Sequence, residues 1–135
     1  MGEKIDFGIK GLIIHNGNYL AVHKAKISDD KYELPGGRME FGETIEDTLK
    51  REIYEELGVE VSPIKLVDTW NYINAEKNYQ VAGIIYLCEL KENNLDIRLS
   101  EEHTDYKWFK IGDVSNMNIL FQPRMVNWNW KDLSL

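Results

Sequence analysis

Three carboxylates, Glu52, Glu55 and Glu56, follow an arginine in the run Arg51-Glu52-Ile53-Tyr54-Glu55-Glu56-Leu57. On a helix, residues three and four apart are neighbours, so these groups crowd one another, and like charges gathered near a core edge both repel and desolvate. One compensation is a hard divalent cation. Magnesium takes oxygen ligands, keeps several waters and is typically held by a few carboxylates plus substrate phosphates. The other is a purely structural network in which Arg51 pairs with the glutamates. An EF-hand calcium site does not fit, because the ligands come from a helix and not from a loop.

The helix that must carry these groups runs from Thr44 to Leu57. Thr44 with Asp47 three residues on makes a capping-box-like start, and Gly58 is a C-terminal stop. With Ile45 at zero on the helical wheel, Leu49, Ile53 and Leu57 fall at about 40°, 80° and 120° and mark an apolar stripe. Glu52 and Glu56 fall at about −20° and +20°, and Glu55 at about −80°. A solvated acidic face belongs opposite the stripe, near Lys50 and Tyr54. Two of the carboxylates point into its edge instead.

Around this helix the chain reads as strands. Phe7–His15 turns at Asn16-Gly17 into Asn18–Lys24, since Asn-Gly between apolar runs is a strong hairpin signal. After a loop from Ile27 to Lys31, Tyr32-Glu33-Leu34-Pro35-Gly36-Gly37 reads as a short strand stopped by the proline and glycines, where backbone can approach a ligand. Ile64–Tyr72 and Tyr79–Leu90 are two longer strands joined by a polar turn at 74–78. His103–Phe109 is a further strand, and Pro123–Trp130 is a short helix. With no repeat, low-complexity stretch or linker, strands on both sides of one helix predict an α/β fold, a mixed sandwich in a single domain over residues 1–135.

Charge and composition narrow the partners. A net charge of −7 opposes a grip on intact DNA or RNA, which needs clustered Lys and Arg. An acidic chain can still bind a small anion where a metal supplies local positive charge. The lone cysteine, Cys88, sits in the apolar run Val81–Cys88 and reads as a buried structural thiol. That run is too short to cross a bilayer, and the start of the chain lacks a signal-peptide layout. Gly2 is no myristoylation site, because Asp6 stands where Ser or Thr is needed. A cytoplasmic protein without membrane contact is expected.

The stretch Gly37-Arg38-Met39-Glu40-Phe41-Gly42-Glu43, seven further residues, then Arg51-Glu52-Ile53-Tyr54-Glu55-Glu56-Leu57-Gly58-Val59 resembles the Nudix box, G-x5-E-x7-R-E-U-x-E-E-x-G-U with U an apolar aliphatic residue, at every specified position. Leu34-Pro35-Gly36-Gly37 is a common lead-in, and Glu101 to Phe109 resembles the strand that follows the box in many MutT-like members. The resemblance implies an α/β/α sandwich with a mixed central sheet, and hydrolysis of a nucleoside diphosphate linked to another group, with Mg2+ or Mn2+. It assigns metal holding to Glu52, Glu55 and Glu56, with Glu52 also a candidate general base oriented by Arg51. Glu43 would brace that network or bind a metal-held water, and the Gly36–Gly37 region would offer a backbone carbonyl. A further carboxylate from a later loop is expected to join the metals or act as base; Glu102 is the choice and Glu101 the runner-up. A structural or hydrogen-bonding role is preferred for His103.

The identity of the linked group is less marked. Trp70, Tyr72, Tyr79, Phe121 and Trp128 could stack on a nucleobase, with Trp70, Tyr72 and Tyr79 carried forward as substrate contacts. Pro63 follows the box too closely for the ADP-ribose subclass, and no coenzyme-A signature precedes Pro35. A nucleoside triphosphate or dinucleoside polyphosphate is favoured, with a sugar nucleotide, or a catalytically silent nucleotide sensor, as the alternatives. An isoprenoid diphosphate isomerase would need a reactive cysteine, which Cys88 does not resemble. Trp128 and Trp130 fit a homodimer contact, a pocket wall or a core edge equally well.

Overall fold

The computed structural model describes residues 2–91 and 96–133. Six strands and one long helix make up most of it: β1 (Lys4–His15), β2 (Asn18–Lys24), β3 (Gly36–Arg38), α1 (Ile45–Leu57), β4 (Val61–Asn74), β5 (Tyr79–Leu90) and β6 (His103–Lys110), then a single-turn α2 (Gln122–Met125) and a 3-10 turn at Trp130–Leu133. The strands form a mixed sheet in the order β4-β5-β1-β2-β6, with β3 also on β1; β1 and β5 run parallel. This is the α/β arrangement expected from the sequence. Among the described residues no helix is long and apolar enough to cross a membrane.

The sheet is split where chemistry would need it. β1 and β2 pair only near their hairpin, at Ile14↔Tyr19 and His15↔Asn18, and then diverge. The chain from Tyr32 to Arg38 fills the wedge. Glu33 exchanges both backbone hydrogen bonds with Val22 of β2, at 2.9 and 2.8 Å, and the Pro35 carbonyl accepts from Gly11 N–H of β1 at 2.8 Å. β3 then pairs with β1 from Gly8 to Lys10. The short strand therefore follows Pro35 instead of ending at it, and Tyr32 and Glu33 make only isolated bridges. Proline lacks an N–H but keeps an acceptor, so it closes one side of the wedge, and Gly36, at φ 137°, turns the chain onto β1.

Two apolar clusters flank the sheet. Ile9 and Ile13 of β1 meet Leu49, Ile53 and Leu57 of α1. Leu12 and Ile14, on alternate positions of the same strand, meet Leu34, Ile85, Phe121 and Met125 on the other face, as the two-residue period of a strand requires. Ile45 lies outside the buried stripe and is exposed; it is the first residue of α1, and the stripe begins at Thr48 and Leu49. Cys88 is fully buried in the α1 cluster, and burial pushes its thiol up to about 12, as suits a packing residue. Trp128 and Trp130 pack on the opposite cluster, with Trp128 Nε1 donating to Asp68 at 2.8 Å, which puts the tail at the core edge.

α1 is set at both ends by its own sequence. The Thr44 hydroxyl accepts from Asp47 N–H and the Asp47 carboxylate accepts from Thr44 N–H, each at 3.1 Å, a reciprocal capping box. Gly58, at φ 68°, returns its N–H to the Tyr54 carbonyl at 2.8 Å. Thr44→Ala removes an acceptor for one free N–H of the first turn, and should lower unfolding free energy by about 1 kcal/mol. Urea denaturation of the variant, with an unchanged m-value, checks it.

Candidate active site

Arg51 organises the exposed side of α1. Its Nε and Nη2 donate to the two oxygens of Glu43, at 2.6 and 2.9 Å. Nη1 donates to Glu52 Oε1 at 2.9 Å and reaches Glu55 Oε2 at 3.4 Å, while Nη2 also donates to the Arg38 carbonyl at 3.1 Å. Glu43 is satisfied further by Glu40 N–H and the Thr48 hydroxyl, both at 2.9 Å. The Arg51 guanidinium, helped by the Glu40 amide, holds the Glu43 carboxyl down at about 2. A structural Arg–Glu network thus exists, but its centre is Glu43. It positions Glu52 and leaves Glu56 outside.

Glu56 is in a different situation. It is 5% exposed, and its Oε2 accepts the Gly36 N–H at 2.8 Å. Burial pushes its carboxyl up to about 7, against the opposing pull of Lys10, His103 and the Gly36 amide. Burial also raises the half-buried Glu52, and the Arg51 guanidinium offsets this only in part. Gly37 lies against Glu52, where an added Cβ would overlap the carboxylate. A side chain at Gly37 would therefore push the Glu52 carboxylate out of this position, whereas at Gly36 a Cβ would meet the Ile9 backbone itself. Glu55 is exposed and reaches the network only through Arg51.

Facing these groups is a cleft of about 590 Å³. Because β1 and β2 diverge, it joins the two faces of the sheet: Glu52 and Glu56 reach it from α1, while Lys10 and Trp70 reach it from the opposite side. Glu102 and His103, at the start of β6, also line it, and Glu101 does not. Donor atoms of Glu56, Glu102 and His103 all lie within 4.8 Å of one another. Trp70, Tyr72 and Tyr79 line the far wall. The Tyr79 hydroxyl donates to Asp6 at 2.7 Å and accepts from Arg38 Nη1 at 3.0 Å. Phe121 lies behind Trp70 in the core, ring centres 5.7 Å apart, and Trp128 is on the core edge, so neither joins this wall.

Three further charged groups, which no motif marks in the sequence, meet in the cleft. Lys10 is buried, with Nζ 3.6 Å from Glu33 Oε1, 3.4 Å from the Gly36 carbonyl and 5.5 Å from the centre of a Trp70 ring. The exposed Lys24 lies 3.6 Å from the other Glu33 oxygen. Burial raises the Glu33 carboxyl, yet Lys10, His103 and Lys24 outweigh it and hold the group at about 2. The available signal was a lysine and a glutamate set within apolar stretches of buried chain, Ile9 to Ile14 and Tyr32 to Leu34.

The donor set fits a hard divalent cation: carboxylate oxygens converge on the cleft, one of them, on Glu56, under-compensated where it is buried, beside a backbone kept bare of side chain at Gly37. A family model described as NUDIX domain matches residues 9–129. The chain belongs to the Nudix family. Curated relatives of this Nudix hydrolase include nucleoside triphosphatase NudI of Escherichia coli strain ED1a, 33% identical over 122 residues that cover 80% of this chain and 84% of that one. Among solved structures, a MutT protein from Methanosarcina mazei Go1 shares the fold at a TM-score of 0.79 and 22% identity, covering 98% of both chains. A MutT Nudix hydrolase from Burkholderia pseudomallei superposes at 0.79 and 21% identity, over 94% of this chain and 99% of that one. Members of the family generally work with a divalent metal and cut pyrophosphate bonds, and this Nudix hydrolase has the oxygen donors to do so.

The proton held by Glu56 has a measurable consequence. Its pKa is raised from 4.5 to about 7 in the folded chain, so between those values the folded state binds more protons than the unfolded one. Stability from this group is then full below pH 4.5 and lost as pH rises towards 7. In chelator, the melting temperature of wild type relative to Glu56→Gln should fall as pH is raised from about 5 to 7.5, a difference that thermal scans of both proteins read directly.

Proposed function

We propose that the chain is a Mg2+-dependent pyrophosphohydrolase of free nucleotides, with a nucleoside triphosphate as its preferred substrate and residues 1–135 acting as one catalytic domain. The observation that carries this reading is Glu56: a carboxylate buried at the floor of an open cleft, against the Gly36 amide, with Glu52 beside it and an aromatic wall opposite. The name of the NudI relative supports the triphosphate. A dinucleoside polyphosphate remains the second choice, because Tyr72 and Tyr79 stand together on the aromatic wall, 6.4 Å apart.

In this reading Glu52 and Glu56 would hold the metal, with Glu55 from the rim and a carbonyl of the Gly36–Gly37 segment completing the protein's share, and a divalent cation there would neutralise pyrophosphate oxygens and make a bound water more acidic. Arg51 keeps Glu52 aimed by a charge-assisted hydrogen bond, and Glu43 keeps Arg51 from swinging away. Glu102, which lines the same cleft with a carboxylate oxygen within 4.8 Å of Glu56, would take the proton of an attacking water, with Glu52 as the other candidate base. Lys10 and Lys24 put positive charge at the inner end of the cleft, where phosphate oxygens would lie. The half-buried Tyr72 and Tyr79 offer flat rings to a base, which any nucleobase can meet by stacking, and the buried Trp70 backs that wall with only its edge on the cleft.

The test is a phosphate-release panel of nucleoside triphosphates, dinucleoside polyphosphates and sugar nucleotides, with and without Mg2+. Turnover of a triphosphate that stops in chelator is expected; inactivity on every compound would sink the proposal. Glu56→Gln should keep the fold and lower kcat by roughly 10²- to 10⁴-fold, the range expected when a group that the transition state relies on is lost. Near-normal turnover in that variant would remove Glu56 from the metal site.

A further inference from the structure

Lys10 carries a buried ammonium with little to hold it. Its side chain is 8% exposed, and an ammonium has three donors to satisfy and no acceptor. Among the described residues its hydrogen-bond partner is the Gly36 carbonyl, at the long distance of 3.4 Å. Glu33 Oε1 lies 3.6 Å away, and the same carboxylate is shared with Lys24 at 3.6 Å and faced by His103 Nε2 at 3.8 Å. Two ammonium groups thus stand against one buried carboxylate. A buried charge with so few close partners is costly, and an anion entering the cleft would complete them.

The surroundings also fix where this charge can act. Trp70 pairs with Gly83 of β5, which pairs in turn with Gly8 of β1, and a Cβ added at either glycine would overlap the indole. Gly8 and Lys10 lie on one face of β1, and Lys10 Nζ stands over this ring, 5.5 Å from its centre. The buried indole backs the ammonium, and the open side of Lys10 is the cleft. From there its charge reaches the box glutamates. Burial raises Glu56, and Lys10 is foremost among the groups that oppose it; burial raises Glu52 as well, and there Lys10 adds to Arg51.

We propose that Lys10 couples the metal to the nucleotide: in the empty cleft its ammonium competes with a divalent cation for Glu56 and the Gly36 carbonyl, and a phosphate oxygen of the substrate draws it off. The inference rests on the reading that Glu52 and Glu56 hold the metal. Two positive charges beside one carboxylate repel each other. A phosphate takes up the unused donors of Lys10 in charge-assisted hydrogen bonds and so lifts that repulsion. Such coupling is reciprocal, so bound metal raises the affinity for phosphate by the same factor. Arg51, also beside Glu52, is pinned by both oxygens of Glu43, whereas Lys10 has donors to give.

The test uses the full chain and no nucleotide. Mn2+ binding is followed by the electron paramagnetic resonance signal of the free ion, with and without inorganic phosphate, at constant ionic strength. Without phosphate, Lys10→Met should bind Mn2+ at least about tenfold more tightly than wild type, a factor within reach of like charges a few ångströms apart in an interior less polar than water. Lys10→Arg keeps the charge and should bind as wild type does. Loss of packing alone would act in the opposite direction and loosen the ion. Phosphate should tighten Mn2+ binding in wild type by more than in Lys10→Met. Unchanged or weaker binding in a folded Lys10→Met overturns the proposal, and so does wild-type binding that phosphate leaves unchanged, whether or not the variant folds. Equal Mn2+ binding by wild type and Glu56→Gln would instead defeat the metal reading, and this inference with it. Inactivity across the nucleotide panel defeats the assigned reaction alone and leaves the Mn2+ result standing.

Discussion

Charge buried between a helix and a sheet has to be compensated, and much of this molecule is arranged around one instance of it, the Glu56 carboxylate. An ion moved out of water loses hydration that only fixed dipoles or opposite charges can replace. Here β1 and β2 part, the Pro35 carbonyl takes up the orphaned Gly11 amide, and the freed segment delivers the Gly36 N–H to Glu56. Lys10 and His103 add favourable charge from the far side. The sum still falls short, since the carboxyl remains raised to about 7. A divalent cation beside this carboxylate, as proposed above, would supply the missing positive charge.

The contrast with Glu43 makes the point within one loop and helix. Both residues are glutamates of the same motif, and both lie near Arg51 in sequence. Glu43 receives hydrogen bonds from Arg51, Thr48 and the Glu40 amide and is driven down to about 2. Glu56 receives one. Environment has separated their roles, as it separates paired carboxylates in other hydrolytic sites. Glu43 is locked and serves to aim Arg51; Glu52 is half locked, by Arg51; Glu56 is left with the most to gain from a metal.

Local, periodic features were readable from the chain and distant encounters were not. The limits of α1 follow from Thr44, Asp47 and Gly58, all within reach of the helix itself, and the inward turn of Glu52 and Glu56 follows from the wheel. The apolar run Tyr79–Leu90 has the ends of β5 itself. The segment at Pro35 was misplaced because its pairing depends on β1, more than twenty residues earlier in the chain, which no local signal reports. Aromatic residues looked alike in sequence; only the packing of α2 puts Phe121 behind Trp70 and leaves Trp70 on the cleft. Lys10 and Glu33 carry no local signal for a related reason. Each alone is an oddity in an apolar stretch, and they make sense only once they meet.

Lys10 also ties together two halves of the cleft that otherwise have little in common. The α1 wall is written in the motif and, on the proposed reading, would meet phosphate; the wall of Trp70, Tyr72 and Tyr79 is built from β4 and β5, outside it, and would meet whatever is attached. Lys10 Nζ touches the Gly36 carbonyl on one side and lies over the Trp70 ring on the other, with Glu33 beneath. A cation over an aromatic face is held by the ring's quadrupole, and the hold strengthens as water is excluded. A base stacking beside Trp70 would dry that contact, and a phosphate arriving at Gly36 would draw the same ammonium the other way. On the proposed reading, one side chain would meet both ends of a nucleotide, and that residue lies outside the motif that names the family.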